Sequence, residues 1–210
     1  MKHTLLLFIA VLLASSSIAQ IKAVTSTGEE VILISDGTWK YTSAVAAETK
    51  EIAVNPAPFA KGKDATFQAK STVVNAGIFL NPKKWSFKKG APDGAAEFTF
   101  ELKGKDAYGM LISERIDIPL ESLKNIAFDN AKSAAPDIAI VKQEYRTVNG
   151  RKILCMQMDG TVSGIKFTYL GYYYSSKNGA IQLLTYTSQN LLEEYRKDLE
   201  DLLNGLEITE

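Results

Sequence analysis

The chain has 210 residues, with 24 Lys and Arg against 24 Asp and Glu, one His and one Cys. The neutral balance gives no general pull toward nucleic acid, and a lone cysteine excludes an internal disulfide framework. The length is enough for one ordinary core with a small appendage.

The N-terminus reads MKHTLLLFIAVLLASSSIAQ. Lys2 and His3 make a basic start, Leu5 to Ala14 an apolar run, and Ser17-Ile18-Ala19 a small-x-small site, the pattern of a secretory signal peptide cleaved after Ala19. The apolar run is shorter than the roughly 20 residues that a membrane-spanning helix needs. The mature chain is therefore expected to carry no transmembrane segment and to be secreted or periplasmic. No cysteine follows the cleavage site, so lipid attachment is not expected there. Cleavage also removes the only histidine.

Residues 20–42 contain an apolar β-branched run at Val31–Ile34, a turn signal at Asp36-Gly37 and a returning strand from Thr38 to Thr42. This predicts a small β-meander, too small to be stable alone. Its end, Asp36-Gly37-Thr38-Trp39-x-Tyr41, resembles a short element at the start of many secreted bacterial proteins. Residues 43–65 are rich in Ala, Lys and Pro, with Pro56, Pro58 and Gly62, and read as a linker.

The pattern is dense from residue 66 to 210, which reads as one domain. Thr66–Val74, Gly77–Leu80, Ala95–Lys103 and Tyr108–Ile118 predict strands. Pro119 opens a helix whose apolar stripe is Leu120, Leu123, Ala127 and Ala131, and Pro136 ends it. Asn149-Gly150 turns one hairpin, and Lys177-Asn178-Gly179 turns the next. A last helix runs from Leu191 to Leu203. Asn190 and Glu193 have capping-box spacing, and Gly205 stands where a left-handed cap would fall. Short connections make the later strands antiparallel. The class is α+β, with helices packed on an antiparallel sheet.

One stretch, FTYLGYYYSSKNGAIQLLTYTS, has three successive tyrosines at Tyr172, Tyr173 and Tyr174. Side chains alternate across a strand, so both faces are bulky, as in a central strand covered on each side. Tyr173 is expected to be buried, with Tyr172 or Tyr174 keeping its hydroxyl near solvent. Cys155 lies mid-strand among apolar neighbours and reads as a small buried hydrophobe.

Several of these motifs together resemble the Mog1/PsbP-like superfamily. They are Asn81-Pro82-x-x-Trp85, the helix after Ile118-Pro119, Val148-Asn149-Gly150, Gly171-Tyr172-Tyr173-Tyr174 followed by Gly179, and Leu184-Thr185-Tyr186-Thr187 before a helix ending Leu203-Asn204-Gly205-Leu206. The resemblance covers about residues 66–206. It implies an antiparallel sheet sandwiched between helices, and an accessory or binding role without a shared catalytic residue set.

The chemistry carried by the residues points the same way. Without histidine the mature chain lacks Ser-His-Asp and Cys-His catalysis and His-ligated metal sites. No dinucleotide, phosphate-loop or calcium-loop motif is present. Ser86 and Lys89 have Ser-x-x-Lys spacing without the companion motifs of penicillin-recognising acylases. No catalytic residue, cofactor or metal is therefore expected. The alternative is an envelope hydrolase using paired carboxylates about 5–10 Å apart, for which Glu193-Glu194 and Glu200-Asp201 are present. The candidate partner-binding residues are Lys83, Lys84, Trp85, Lys88 and Lys89, together with Tyr172 and Tyr174. They would suit a protein or another anionic component of the envelope. The alternation also allows Trp85 and Phe87 to plug the core while the lysines face water.

Overall fold

The computed structural model describes residues 21–24, 30–35, 37–41, 51–91 and 94–209. The expected signal peptide lies outside the described residues. Strands β1 (Ile21–Val24), β2 (Glu30–Leu33) and β3 (Trp39–Tyr41) form the N-terminal meander. Strands β4 (Val54–Phe59), β5 (Phe67–Lys70), β6 (Ala76–Leu80), β7 (Trp85–Lys89), β8 (Phe98–Leu102) and β9 (Ala107–Glu114) precede helix α1 (Leu120–Ala134). Then follow β10 (Ala139–Val148), β11 (Arg151–Val162), β12 (Ile165–Ser176), β13 (Gly179–Ser188), helix α2 (Leu192–Leu203) and β14 (Leu206–Ile208).

The main sheet has eight strands in the order β4-β10-β11-β12-β13-β9-β8-β7. All its neighbours run antiparallel except β4 and β10. A second sheet, β14-β6-β5, packs with α2 on one face of it. Helix α1 packs on the other face. The result is a mixed α/β fold dominated by one antiparallel sheet.

Strand β4 corrects the sequence reading. Val54–Phe59 lies within the expected linker of residues 43–65, yet it pairs in parallel with β10 through Val54, Pro58 and Phe59. Its two prolines remove ladder donors, which suits an edge strand and hides the segment from a period-based reading.

The tyrosine run lies between β11 and β13. Tyr172 and Tyr173 are both 0 % exposed, and they belong to the cores on opposite faces of the sheet. Tyr174 is half-buried. Tyr172 needs its hydroxyl: it accepts from Arg146 Nη1 at 3.2 Å and donates to Asn204 Oδ1 at 2.7 Å. Arg146 also reaches Glu144 at 2.6 Å and Glu200 at 3.4 Å, and its guanidinium lies 4.4 Å from the Phe59 ring centre. A buried charge is tolerable only when paired and hydrogen-bonded, and this network ties α2 to β10 and β12.

The end of α2 departs from expectation twice. Asn190 makes no cap, because Gln189–Leu191 forms a 3-10 turn and no side chain caps the helix. Glu193 instead takes the Arg196 guanidinium. Gly205 is not among the residues with left-handed backbone. It is required for close approach: an added Cβ would lie 1.8 Å from the Phe79 carbonyl oxygen. The chain passes so near because the Phe79 N–H donates to the Gly205 carbonyl at 2.8 Å, where β14 starts pairing with β6. The Asn149-Gly150 turn has φ values of 47° and 84°, as that dipeptide implies. The Asn149 amide also donates to the carbonyls of Asn204 at 2.9 Å and Leu206 at 2.7 Å, locking this hairpin to the end of α2.

Glu97 pins the loop after β5. Its carboxylate accepts from Ser71 Oγ at 2.6 Å, from the Thr72 N–H at 2.6 Å and from Ser113 Oγ. Burial opposes its charge, but these hydrogen bonds outweigh burial and hold the carboxyl below its usual 4.5. A depressed carboxyl contributes stability that is present above the unfolded value and is lost as pH falls through the folded value. Glu97→Gln is therefore expected to cost about 1.5–3 kcal/mol at pH 7. The gap from the unaltered protein should shrink below about pH 4, as read from urea unfolding at a series of pH values. A gap that stays constant with pH would show that the carboxylate charge is not the stabilising feature.

Candidate binding surface

The lysine segment does not form one patch. Lys83, Lys84, Lys88 and Lys89 are all exposed. Lys84 turns to α2 and pairs with Asp198 at 2.6 Å. Trp85 and Phe87 point into the core shared with α2, and Trp85 is 3 % exposed. Alternation puts Lys88 on the opposite face of the sheet, opposite Thr99. Trp85 and Tyr172 are therefore core residues in this structure and offer no surface to a protein partner.

Lys88 meets the tyrosine-bearing hairpin, although not through the residues first singled out. Tyr169, Tyr186 and Tyr108 occupy directly paired positions on β12, β13 and β9, and Glu101 continues the row on β8. Tyr108 and Tyr186 stack with ring centres 5.5 Å apart, Tyr169 sits edge-on to Tyr186 at 5.7 Å, and Phe167 edge-on to Tyr169 at 4.8 Å. All four rings are half-buried. The row ends in a shallow hollow of about 100 Å³ that includes Ser86, Lys88, Thr99, Glu101, Tyr108 and Tyr186. Burial raises the hydroxyl pKa of all three tyrosines, with Asp106 adding to it at Tyr108, so they stand as neutral donors and acceptors.

Sequence reasoning missed this row because register decides it. Tyr108 and Tyr186 are far apart in the chain, and a shift of one residue in either strand would send one of them to the other face. The signal available in the sequence was the shared even spacing of Tyr108, Met110 and Ile112 on β9, all half-buried.

A deeper cleft of about 270 Å³ lies on the other side, between the loop at residues 62–65, the turn at 81–85 and α2. Lys63, Asp64, Lys84, Trp85, Lys197 and Asp201 line it. The carboxylates of α2 are engaged: Glu193 with Arg196, Glu194 with Lys105 at 3.5 Å, Glu200 with Arg146, and Asp201 with Lys197 at 2.9 Å. Among the described residues no cluster of His, Cys, Asp and Glu is arranged to hold a metal. No helix among them is long and apolar enough to cross a membrane. Cys155 is buried, and burial pushes its thiol up to about 11. It is an inert core residue.

The arrangement of sheet and helices recurs in solved structures. The solution structure of PsbP (CyanoP) from Synechocystis sp. PCC 6803 aligns with a TM-score of 0.54 at 11% identity, over 68% of this chain and 92% of that one. The fold is PsbP-like. LpqN, involved in cell envelope biogenesis of Mycobacterium tuberculosis, aligns with a TM-score of 0.50 at 12% identity, over 69% of this chain and 90% of its own. At these identities the likeness concerns the fold alone. A scan against protein-family models finds no match, and a search of curated proteins finds none either. The PsbP-like fold agrees with the resemblance carried by the Asn81-Pro82 turn, the Asn149-Gly150 hairpin and the tyrosine strand. Which surface of that fold acts depends on this chain's own side chains.

Proposed function

We propose that this protein is an accessory module of the cell envelope, secreted or periplasmic after loss of residues 1–19, that holds an acidic protein partner and catalyses no reaction. The observation that carries this reading is the half-buried tyrosine row meeting Lys88 at the sheet edge. Tyrosine is enriched at the energetic centres of interfaces, because it buries area while keeping a polar tip. Lys83, Lys88 and Lys89 form no ion pair with a described residue; Lys88 stands beside the row, and Lys83 and Lys89, which do not, add only longer-range steering of an anionic partner. LpqN, which has a similar fold and is involved in cell envelope biogenesis, supports the setting. The hydrolase alternative is weaker: Asp64 and Asp201 line one cleft, but Lys63, Lys84 and Lys197 share it and Asp201 is held by Lys197.

The test is capture of partner from the native envelope at rising salt. Exposed charges are screened over about 8–10 Å at 0.1–0.15 M ionic strength, so capture should fall steeply as salt increases. The triple variant Lys83→Gln, Lys88→Gln, Lys89→Gln should lose capture, with unfolding stability changed by less than about 0.5 kcal/mol. Tyr108→Ala should weaken capture by about 2 kcal/mol or more if the row is the interface centre. Capture that survives high salt and all these changes would clear this surface of any role. Export has its own check: the intact mass of the secreted protein should correspond to a chain starting at Gln20. A mass that retains Lys2 and His3 would reject the cleavage.

A further inference from the structure

We propose that the cleft between the 62–65 loop, the 81–85 turn and α2 binds a small zwitterion, a short peptide with both ends free. This inference does not rest on the tyrosine surface, which lies on the opposite face of the sheet. The cleft volume of about 270 Å³ suits a ligand on the scale of two residues, just below the roughly 300–1,000 Å³ of drug-sized sites.

Its charges are arranged in opposed pairs. One wall carries Lys63 beside Asp64, the α2 wall carries Lys197 and Asp201, and the turn contributes Lys84. A ligand of one sign would meet a like charge on both the loop wall and the α2 wall, whereas a molecule with an ammonium at one end and a carboxylate at the other finds a partner for each. Lys63 and Asp64 form no ion pair with a described residue, and Asp64 acts on Lys197 only at longer range. The pairs Lys84–Asp198 and Lys197–Asp201 are partly exposed, and exposed pairs are weak enough to exchange partners at little cost.

The inner wall supplies the second observation. Trp85 is almost fully buried and lines the cleft, yet its indole N–H has no acceptor. Buried donors in native proteins are overwhelmingly paired. A carboxylate oxygen seated against this wall supplies the acceptor once the lining shifts enough to expose the indole nitrogen, which is shut off from solvent in this structure. Lys63 and Lys84 then balance the carboxylate charge, while Asp64 and Asp201 take the ammonium. Leu202, also on the lining and buried, keeps that side dry.

The chain has two tryptophans, so Trp39→Phe in the full chain leaves Trp85 as the sole fluorescent reporter. Titration with glycylglycine should give a saturable change in its emission. Ligand-observed NMR on the unaltered chain should report the same binding, independently of that substitution. N-acetyl-glycylglycine, which mimics the carboxyl end of a protein, and glycylglycine amide, which mimics an amino end, should each bind about tenfold more weakly or less well still. Asp201→Asn should weaken the free peptide and the amide but leave the acetylated peptide unchanged, and Lys63→Gln should weaken the free and acetylated peptides but spare the amide. Equal binding of free and blocked peptides would overturn the proposal, as would no saturation by either method at millimolar peptide. Neither result would touch partner capture, because Lys83, Lys88, Lys89 and Tyr108 stay unaltered throughout.

Discussion

Gly205→Ala is expected to leave little or no folded protein at room temperature. The methyl carbon would stand 1.8 Å from the Phe79 carbonyl oxygen and 3.0 Å from the Leu202 carbonyl oxygen. Both are backbone atoms, so no rotamer change relieves the contact. Relief requires β14 to move away from β6, which breaks the bond from Phe79 N–H to the Gly205 carbonyl and the pairs that follow it. It also pulls on the Asn149 amide, which holds the carbonyls of Asn204 and Leu206. Losses above about 4–5 kcal/mol are exceptional for one substitution, and this one belongs among them, against a typical total stability of about 5–15 kcal/mol. Gly150→Ala is the control. An added Cβ there meets nothing within 4 Å, and only its left-handed backbone at φ +84° is strained. That strain costs about 1–2 kcal/mol. Urea unfolding followed by circular dichroism separates the two variants. A Gly205→Ala protein within about 1 kcal/mol of the parent would mean that the two segments are not held so close.

Arg146→Met should cost about 3–5 kcal/mol, the usual result of breaking a buried ion pair from one side. Glu144 has a side chain only 12% exposed and would lose its closest cation. The Tyr172 hydroxyl would lose a donor inside the core, and Phe59 would lose the guanidinium stacked on its ring. Burial works against the arginine charge, but the hydrogen bonds to Tyr172 and to the Glu144 carboxylate hold the pKa above its ordinary value, so Arg146 stays ionised at every accessible pH. Glu144 carries the pH dependence. Burial opposes its charge too, but Arg146 and Asn55 hydrogen-bond its carboxylate and keep its pKa below 4.5. Its contribution is therefore present above the unfolded value and lost as the solution is acidified through the folded one. Removing both charges with Arg146→Met and Glu144→Leu should recover much of the loss, since an apolar pair of similar volume is often no worse than a buried ion pair. Double-mutant analysis by urea unfolding reads this directly. Simple addition of the two single losses would show that the residues act independently.

The sequence by itself determined the elements whose signal is local. The Asn149-Gly150 turn follows from backbone chemistry that those two residues satisfy, and the structure has both at positive φ. The helix after Pro119 follows from its apolar stripe, of which Leu123 and Ala127 are buried, with Ser122 beside them. The bulk on both faces of the tyrosine strand implied a covered central strand, and Tyr172 and Tyr173 are buried on opposite faces. The motifs spread between Asn81 and Leu206 were enough to suggest the PsbP-like fold that the solved structures share. Tertiary structure alone decided whatever depends on two distant segments meeting. Strand β4 has no periodic signal because its prolines suit an edge, and only β10 makes it a strand. Gly205 looks like a helix cap until Phe79 is placed against it. Tyr172 looked like a surface candidate until Arg146 and Asn204 claimed its hydroxyl in the core. The tyrosine row and the charged cleft arise from register across β12, β13 and β9 and from α2 lying against the 81–85 turn. Local propensity carries no information about such long-range contacts, because they are selected by how whole faces pack rather than by any one residue's preference.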